Sequence, residues 1–494
     1  MTQKTASATK TPDPRLVSSA VSKASKRLIP VLLIMYVIAF IDRTNIGWAQ
    51  KAWEADAGIS TAAYAFGATL FFIGYAVFEV PSNLIMHRVG ARWWMTRIMI
   101  SWGIVAMGFS LVNGVTSYYI LRFLLGVTEA GFFPGAIAYM TYWFPAARRG
   151  WATGLFYMGL PLANMIGNPL SGGLLEMHGF LNLQGHQWMF IVEGALAVVF
   201  GFFVPFLLTD RPKDAKWLTP EERNALTRQI ELEEASKEEA EPLHWTKALI
   251  HPRIIYFCLI YFCIQASVYG LTFFLPQQVT TFTGQSVGFV ASLITAIPWA
   301  VALIGVLIIP GLADRTGRYA LATGTMLFLS GFGIAISAFN IHNAIPSLIG
   351  LSIAAIGFVS AQPIFWQLPT RYLSGAALAG AVGLINAIGN LGGWAAPNLR
   401  VWASESVWGT PDAPNETAGL LVLAAAGFIG ALLVLGLRLF KASPQEIEAQ
   451  KIAQSLVDHE TPAVETQSSA TPTTQFADSQ PETAPASPQP GENR

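Results

Sequence analysis

The sequence predicts an all-α membrane protein: twelve transmembrane helices in two six-helix bundles. Three observations carry this. Of 494 residues, 53% are hydrophobic and only 12% charged, against about 25% charged in a soluble domain. Twelve segments are apolar over the roughly 20 residues a bilayer crossing takes. A long hydrophilic stretch parts them six from six, and each half repeats one basic loop between its second and third segments.

Residues 1–27 are polar and lack an apolar core before a cleavage site, so they read as a cytoplasmic tail and not as a signal peptide. The N-terminal bundle occupies 28–208, with spans near 28–50, 63–86, 94–113, 117–141, 150–174 and 187–208. Residues 209–253 form a cytoplasmic connector, dense in charge at Pro220-Glu221-Glu222-Arg223 and from Glu231 to Glu241, and expected to be helical on the membrane surface. The C-terminal bundle occupies 254–441, with spans near 254–281, 286–310, 320–339, 344–369, 375–401 and 417–440. Residues 442–494 are rich in Pro, Ser, Thr, Gln and Ala. They bury too little apolar area to fold and are expected to be a disordered cytoplasmic tail.

Lys and Arg concentrate on the side of the termini and the even-to-odd loops, as Lys23, Lys26, Arg27, Arg88, Arg92, Arg97, Arg148, Arg149, Arg315 and Arg318. The opposite side carries little beyond Lys51 and Arg400. By the positive-inside rule both termini are cytoplasmic, in a bacterial inner membrane. A formal net charge of +0 gives no general attraction to nucleic acid. Membrane lipid is an expected partner, and the chain is expected to be a monomer. Cys258 and Cys263 lie five apart in one apolar segment, about 140° apart around a helix, and read as packing residues. No zinc-type His-Glu-x-x-His, Gly-x-Ser-x-Gly or P-loop occurs. This argues against an enzyme or an ATP-driven pump. No metal or cofactor is expected beyond a proton as coupling ion.

The chemistry is concentrated in the first half. Asp42 and Arg43 lie in one apolar segment, Arg122 and Glu129 in another. A charge near the bilayer centre costs about 3 kcal/mol even on lenient scales, so such residues line a cavity, pair, or move ions. Arg43 is the candidate for a substrate carboxylate, because guanidinium is always charged and presents a planar fork. Tyr36 and Phe40 share its helical face and wall the site. Arg122 and Glu129 are seven residues apart, about 10 Å along a helix. Neither can pair with the other, so each needs a partner on another helix, with Asp42 and Arg43 available. Low dielectric favours the neutral form of a carboxyl, which makes Glu129 the proton carrier and Arg122 the partner of whichever acid is charged. Glu79 and Glu193 read as structural.

The spans of the second half hold no Asp, Glu, Lys or Arg away from their ends. Neutral pairs remain: Gln265 and Tyr269, Gln362 and Trp366, Asn386 and Asn390. They are expected to supply hydrogen bonds, stacking and shape. Gln265 and Asn390 read as amides gluing helices together. Tyr75 and Asn164 in the first half are further candidates for the substrate site, with Gln362, Trp366 and Asn386. Gly-rich stretches in the fifth and eleventh spans permit close crossings.

Gly311-Leu312-Ala313-Asp314-Arg315-Thr316-Gly317-Arg318 resembles the signature loop of the major facilitator superfamily. The first copy, His87-Arg88-Val89-Gly90-Ala91-Arg92, has His87 where the acid is usual, so a charge relay there is not expected. Phe40-Ile41-Asp42-Arg43-Thr44-Asn45-Ile46-Gly47, Arg122 to Gly135, and Gln362-Pro363-Ile364-Phe365-Trp366 resemble motifs of its anion:cation symporter family. Leu155 to Gly159, Pro169 to Phe180 and Val268 to Pro276 are most similar to bacterial L-rhamnonate transporters. The resemblance implies the two-bundle fold, a substrate site between parallel repeats and proton coupling through Asp42. It also implies that Asn386 and Trp366 sit where sugar-acid members bind substrate. The expected function is proton-coupled import of a small organic anion by alternating access, with an aldonate such as rhamnonate or galactonate first. Alternatives are an aromatic or dicarboxylic acid (phthalate, hydroxyphenylacetate, tartrate), or a non-transporting nutrient sensor on the same scaffold.

Overall fold

The computed structural model describes residues 12–238, 251–284, 288–372 and 375–437. Helix α1 (Pro14–Thr44) begins inside the stretch read from sequence as a tail. Asp13 accepts from the Arg15 amide at 2.8 Å and Pro14 opens the first turn, a standard helix start. Hydropathy misses this part because it buries Ala20, Val21 and Ala24 against protein. At Asn45 the helix gives way to α2 (Ile46–Ala57), which stops at Gly58 with φ +65°.

The first half continues with α3 (Thr61–Val89), α4 (Ala91–Gly108), α5 (Val115–Glu129), α6 (Phe132–Trp143), α7 (Ala146–Tyr157), α8 (Gly159–Leu175) and α9 (Gly185–Leu207). The fourth crossing breaks between α5 and α6, where Gly131 holds φ +86° and a Cβ would collide with the Ser82 hydroxyl. That hydroxyl donates to the freed Ala130 carbonyl at 2.7 Å. After the connector helix α10 (Pro220–Glu238) come α11 (Pro252–Thr272), α12 (Leu275–Thr283), α13 (Phe289–Thr316), α14 (Tyr319–Phe339), α15 (Ala344–Tyr372), α16 (Gly375–Val401) and α17 (Glu416–Gly436).

Among the described residues, ten helices are long and apolar enough to cross a membrane. The other two predicted crossings are α7 with α8, interrupted at Met158, and α16, rich in Gly, Ala and Asn. Both halves use the same pairings. In the first, α4 packs on α9, α3 on α5 and α1 on α8; in the second, α14 packs on α17, α13 on α15 and α11 on α16. The halves meet along two seams, α8 against α13 and α3 against α16.

On the face away from the termini these seams are tied. Gln277 donates to the Gly47 carbonyl, Tyr64 to the Phe273 carbonyl at 3.3 Å, Asn398 to Thr69 at 2.6 Å, and the Phe289 amide to Glu176 at 2.9 Å. A Cβ on Gly172 would strike the Ser292 side chain, so the backbone of α8 lies directly against that side chain of α13.

The connector folds back onto the termini face. Glu222 accepts from Ser19 at 2.6 Å and from Lys23 at 2.7 Å, while the Arg27 guanidinium lies 5.5 Å from the Trp217 ring. Asp210 takes the Arg92 amide at 2.9 Å and caps α4, giving the first basic loop an acid from elsewhere in the chain. The side chain of His87, residues 239–250 and the tail 442–494 lie outside the described residues.

Lys23 and Ser19 hold the Glu222 carboxyl down to about 2. Because that value is depressed, the latch is present above the ordinary Glu range and is lost only as pH falls toward 2. Limited proteolysis of reconstituted protein should therefore show Arg223 and Arg228 protected from pH 5 to 8. Glu222→Ala should expose them to trypsin across that range; an unchanged digestion pattern would refute the latch.

Candidate functional site

A cavity lies where the two halves face each other at mid-membrane. Its walls come from Tyr36, Phe40, Arg43, Phe71, Phe72, Tyr75, Phe133, Tyr157 and Leu160 of the first half, and from Tyr261, Gln265, Val268, Tyr269, Gln362, Asn386 and Asn390 of the second. Tyr36 and Tyr261 hold equivalent places in the repeat. Each lies so close to a glycine of the fifth crossing of its half, Gly159 or Gly389, that a Cβ there would enter the ring.

Among the described residues, Arg43 is the single charged one in this wall. One terminal nitrogen pairs with Glu129 of α5 and the other donates to the Tyr269 hydroxyl at 2.8 Å. Its guanidinium carbon sits 4.8 Å from the Phe40 ring, 5.0 Å from Phe71 and 5.5 Å from Tyr75. Arg43 is 7% exposed and Glu129 1%. At that burial a carboxylate without its cation, or the cation without its carboxylate, is strongly unfavourable. The pair also joins the halves, because Tyr269 belongs to α11. Water-accessible space in the cavity is only ≈ 30 Å³, about one water's share. A sugar acid enters only if the halves separate or the pair opens.

The other predicted residues divide. Tyr36, Phe40, Tyr75, Gln362 and Asn386 line the cavity with Arg43. Asp42 does not: neighbours on a helix point about 100° apart, so it faces α4 and accepts from the Trp102 indole at 3.0 Å. Nor does Arg122 meet Asp42 or Glu129. It is fully buried, its Nε donates to the Gly67 carbonyl at 3.3 Å, and it lies 5.0 Å from the Phe71 ring, one layer farther from the termini. Asn164 turns away and donates to the Leu160 carbonyl of its own helix at 3.0 Å. Trp366 stands behind the wall, 4.9 Å from Tyr261 and 5.5 Å from Phe365.

Gln265 and Asn390, expected to be glue, are both: they bond each other at 3.0 Å and line the cavity. Gln265 Oε1 is buried without a partner. Sequence reasoning missed Tyr157, Tyr261, Phe71, Phe72 and Phe133 as wall residues. Tyr261, Gln265 and Tyr269 repeat at four-residue spacing, and that stripe was the available signal. Glu79, read as structural, reaches across the seam and accepts from Asn386 at 3.1 Å. Glu193, also read as structural, is 1% exposed and accepts from Asn45 at 2.8 Å and Ser171 at 2.7 Å.

The sequence model of the Major Facilitator Superfamily matches residues 32–397. The chain is 43% identical over 430 residues to an inner membrane transport protein of Escherichia coli K12, RhmT, covering 87% of this chain and 98% of that one. It is 41% identical over 442 residues to a putative tartrate transporter of Agrobacterium vitis, covering 89% and 95%. Among solved structures, a bacterial homologue of the human lysosomal transporter Spinster, inward-facing and occupied, matches with TM-score 0.67 at 16% identity, covering 85% of this chain and 98% of that one.

Proposed function

The chain belongs to the major facilitator superfamily, whose members are transporters and not enzymes, and from that premise we propose that it is a proton-coupled symporter of the bacterial inner membrane importing a small hydroxylated organic acid. The observation that carries this is the Arg43–Glu129 pair in the cavity between the halves. Glu129 occupies the position on Arg43 that a substrate carboxylate would take. A proton on Glu129 removes its charge and frees the guanidinium fork for the incoming anion. Substrate and proton thus bind together or not at all, which is the logic of symport. Deprotonation on the inner side restores the internal pair and expels the anion. The seams tied on the face away from the termini suit the inward-facing stage, if the Lys and Arg bias puts the termini in the cytoplasm.

Substrate class is read from the wall. One cation suits one carboxylate. Gln265, Gln362, Asn386 and Asn390, with the tyrosine hydroxyls, suit hydroxyl groups, so an aldonate such as rhamnonate or galactonate is the first choice. The relative named as a putative tartrate transporter supports a hydroxy acid in general. Phe40, Phe71, Phe72 and Phe133 favour a second reading, an aromatic acid stacked among rings.

Three outcomes are expected in proteoliposomes loaded with L-rhamnonate or D-galactonate. Glu129→Gln, mimicking the protonated acid, should abolish accumulation driven by a pH gradient while binding or counterflow persists; undiminished accumulation would remove Glu129 from the coupling. Arg43→Ala should weaken binding at least tenfold, since truncating one partner of a buried charged pair costs about 2–5 kcal/mol. Arg43→Lys should restore little, because the fork is lost; near-normal affinity in Arg43→Ala would move the carboxylate elsewhere. Gln362→Ala should weaken an aldonate far more than its deoxy analogue, since a site built to bond a hydroxyl discriminates strongly against its absence. If instead Phe133→Leu abolishes binding of a phthalate-type acid and Gln362→Ala changes nothing, the aromatic reading stands.

A further inference from the structure

Behind α1, away from the cavity, lies a second polar cluster. Asp42 is 3% exposed, Asn45 1% and Glu193 1%. Asp42 Oδ2 accepts from the Trp102 indole at 3.0 Å. Glu193 accepts from Asn45 Nδ2 at 2.8 Å and from Ser171 at 2.7 Å. Asp42 Oδ1 and Asn45 Oδ1 are buried without a hydrogen-bond partner, three residues apart and so on one face of the helix. Every partner of the two carboxyls is neutral.

Among the described residues, no cation of the packed elements pairs with either carboxyl. The helix α8 contains no ionisable residue. Those of α4 are Arg92 and Arg97, at its terminus-side end. The helix α9 adds only His186, two turns away, and α2 carries Lys51, Glu54 and Asp56 beyond the junction. On α1 the neighbouring cation, Arg43, is committed to Glu129 and Tyr269. Two carboxylates buried together without a counter-charge cannot both stay ionised.

Asp42 is the acid whose proton coupling the resemblance already implies; we propose that Glu193, in the same buried cluster, is a further proton-holding residue distinct from Glu129 and takes part in the coupling. The unpartnered Asp42 Oδ1 and the Glu193 carboxyl are the seats for the proton. The site is placed to act on conformation. Asn45, held by Glu193, is the joint between α1 and α2, and α2 is the element the second half grips through Gln277 at Gly47. With a proton on the pair the joint stays anchored to α9. When the proton leaves, an uncompensated charge is left in this buried cluster and the anchor loosens, together with the closure that α2 supports. This rests on the proton-coupled reading given above, but its first test does not.

That test is infrared difference spectroscopy of the purified full chain in liposomes, stepped from acid to alkaline pH. A protonated-carboxyl band is expected in wild type, lost in Glu193→Gln and altered in Asp42→Asn. Ser171→Ala keeps the acid and removes one donor, and should shift that band. Identical bands in wild type and all three variants would overturn the proposal, whatever the protein carries. In proteoliposomes with L-rhamnonate, Glu193→Gln should lower gradient-driven accumulation more than counterflow and flatten its pH profile; a wild-type profile would limit Glu193 to a structural role and overturn the coupling assignment. If wild type itself moves no protons with substrate, the symport reading fails, while the infrared bands still decide whether the pair holds one.

Discussion

A guanidinium and a carboxylate taken out of water hold this site together. Arg43 on α1 and Glu129 at the end of α5 are buried where neither could stand alone. Their attraction offsets a desolvation cost that each would otherwise bear unaided. It fixes the rotation of α1 against α5, turns Tyr36 and Phe40 into the cavity, and through Tyr269 ties the first half to the second. Such a pair is a poor source of net stability, because well-packed apolar residues would do as well or better. Under the proposed function its value is that it can be exchanged: a substrate carboxylate and one proton would replace the internal acid without leaving any charge uncompensated.

The two halves divide the chemistry although they share one topology. Tyr36 with Gly159 and Tyr261 with Gly389 are the same contact built twice, so the repeat supplies the frame. The first half adds the charges. The second adds amides and phenols, which orient hydroxyls without demanding a counter-ion. Under the proposed function, a cavity charged on one side only would bind its anion in one orientation, carboxylate toward α1 and α5, hydroxyls toward α11, α15 and α16.

Most of the fold was legible because bilayer crossing is written in long apolar runs and a basic loop repeats in both halves. The helix from Pro14 was not, since its buried face meets protein at α10 and so carries no lipid-length run. In the site, Arg43, Tyr36 and Phe40 were legible from charge in an apolar segment and helical spacing. Arg122 and Asp42 were seen as charged but not as separate from the pair, because spacing gives direction around one helix and says nothing of which neighbour stands there. Tyr157, Phe71 and Phe133 carried no signal that sets them apart from other aromatic residues in membrane helices. Glu193 was read as structural, and the structure gives it two neutral donors on a face of α9 buried against α1 and α4.

Adjacent residues with opposite tasks follow from helix geometry. Asp42 and Arg43 are joined by one peptide bond and point about 100° apart, so α1 separates two polar environments that cannot exchange ions through it. One holds the cation, its internal acid and the substrate wall. The other holds two acids among neutral donors. Any tilt or rotation of α1 that widens the cavity at Arg43 must also change the packing of Asp42 on Trp102 and of Asn45 on Glu193. The backbone of α1 is therefore the mechanical link between them. A charge change on either face is felt on the other as a change in packing, with no hydrogen-bonded wire between the two needed. The contacts that would transmit such coupling converge on the α1–α2 junction, held from behind by Glu193 and from in front by Gln277.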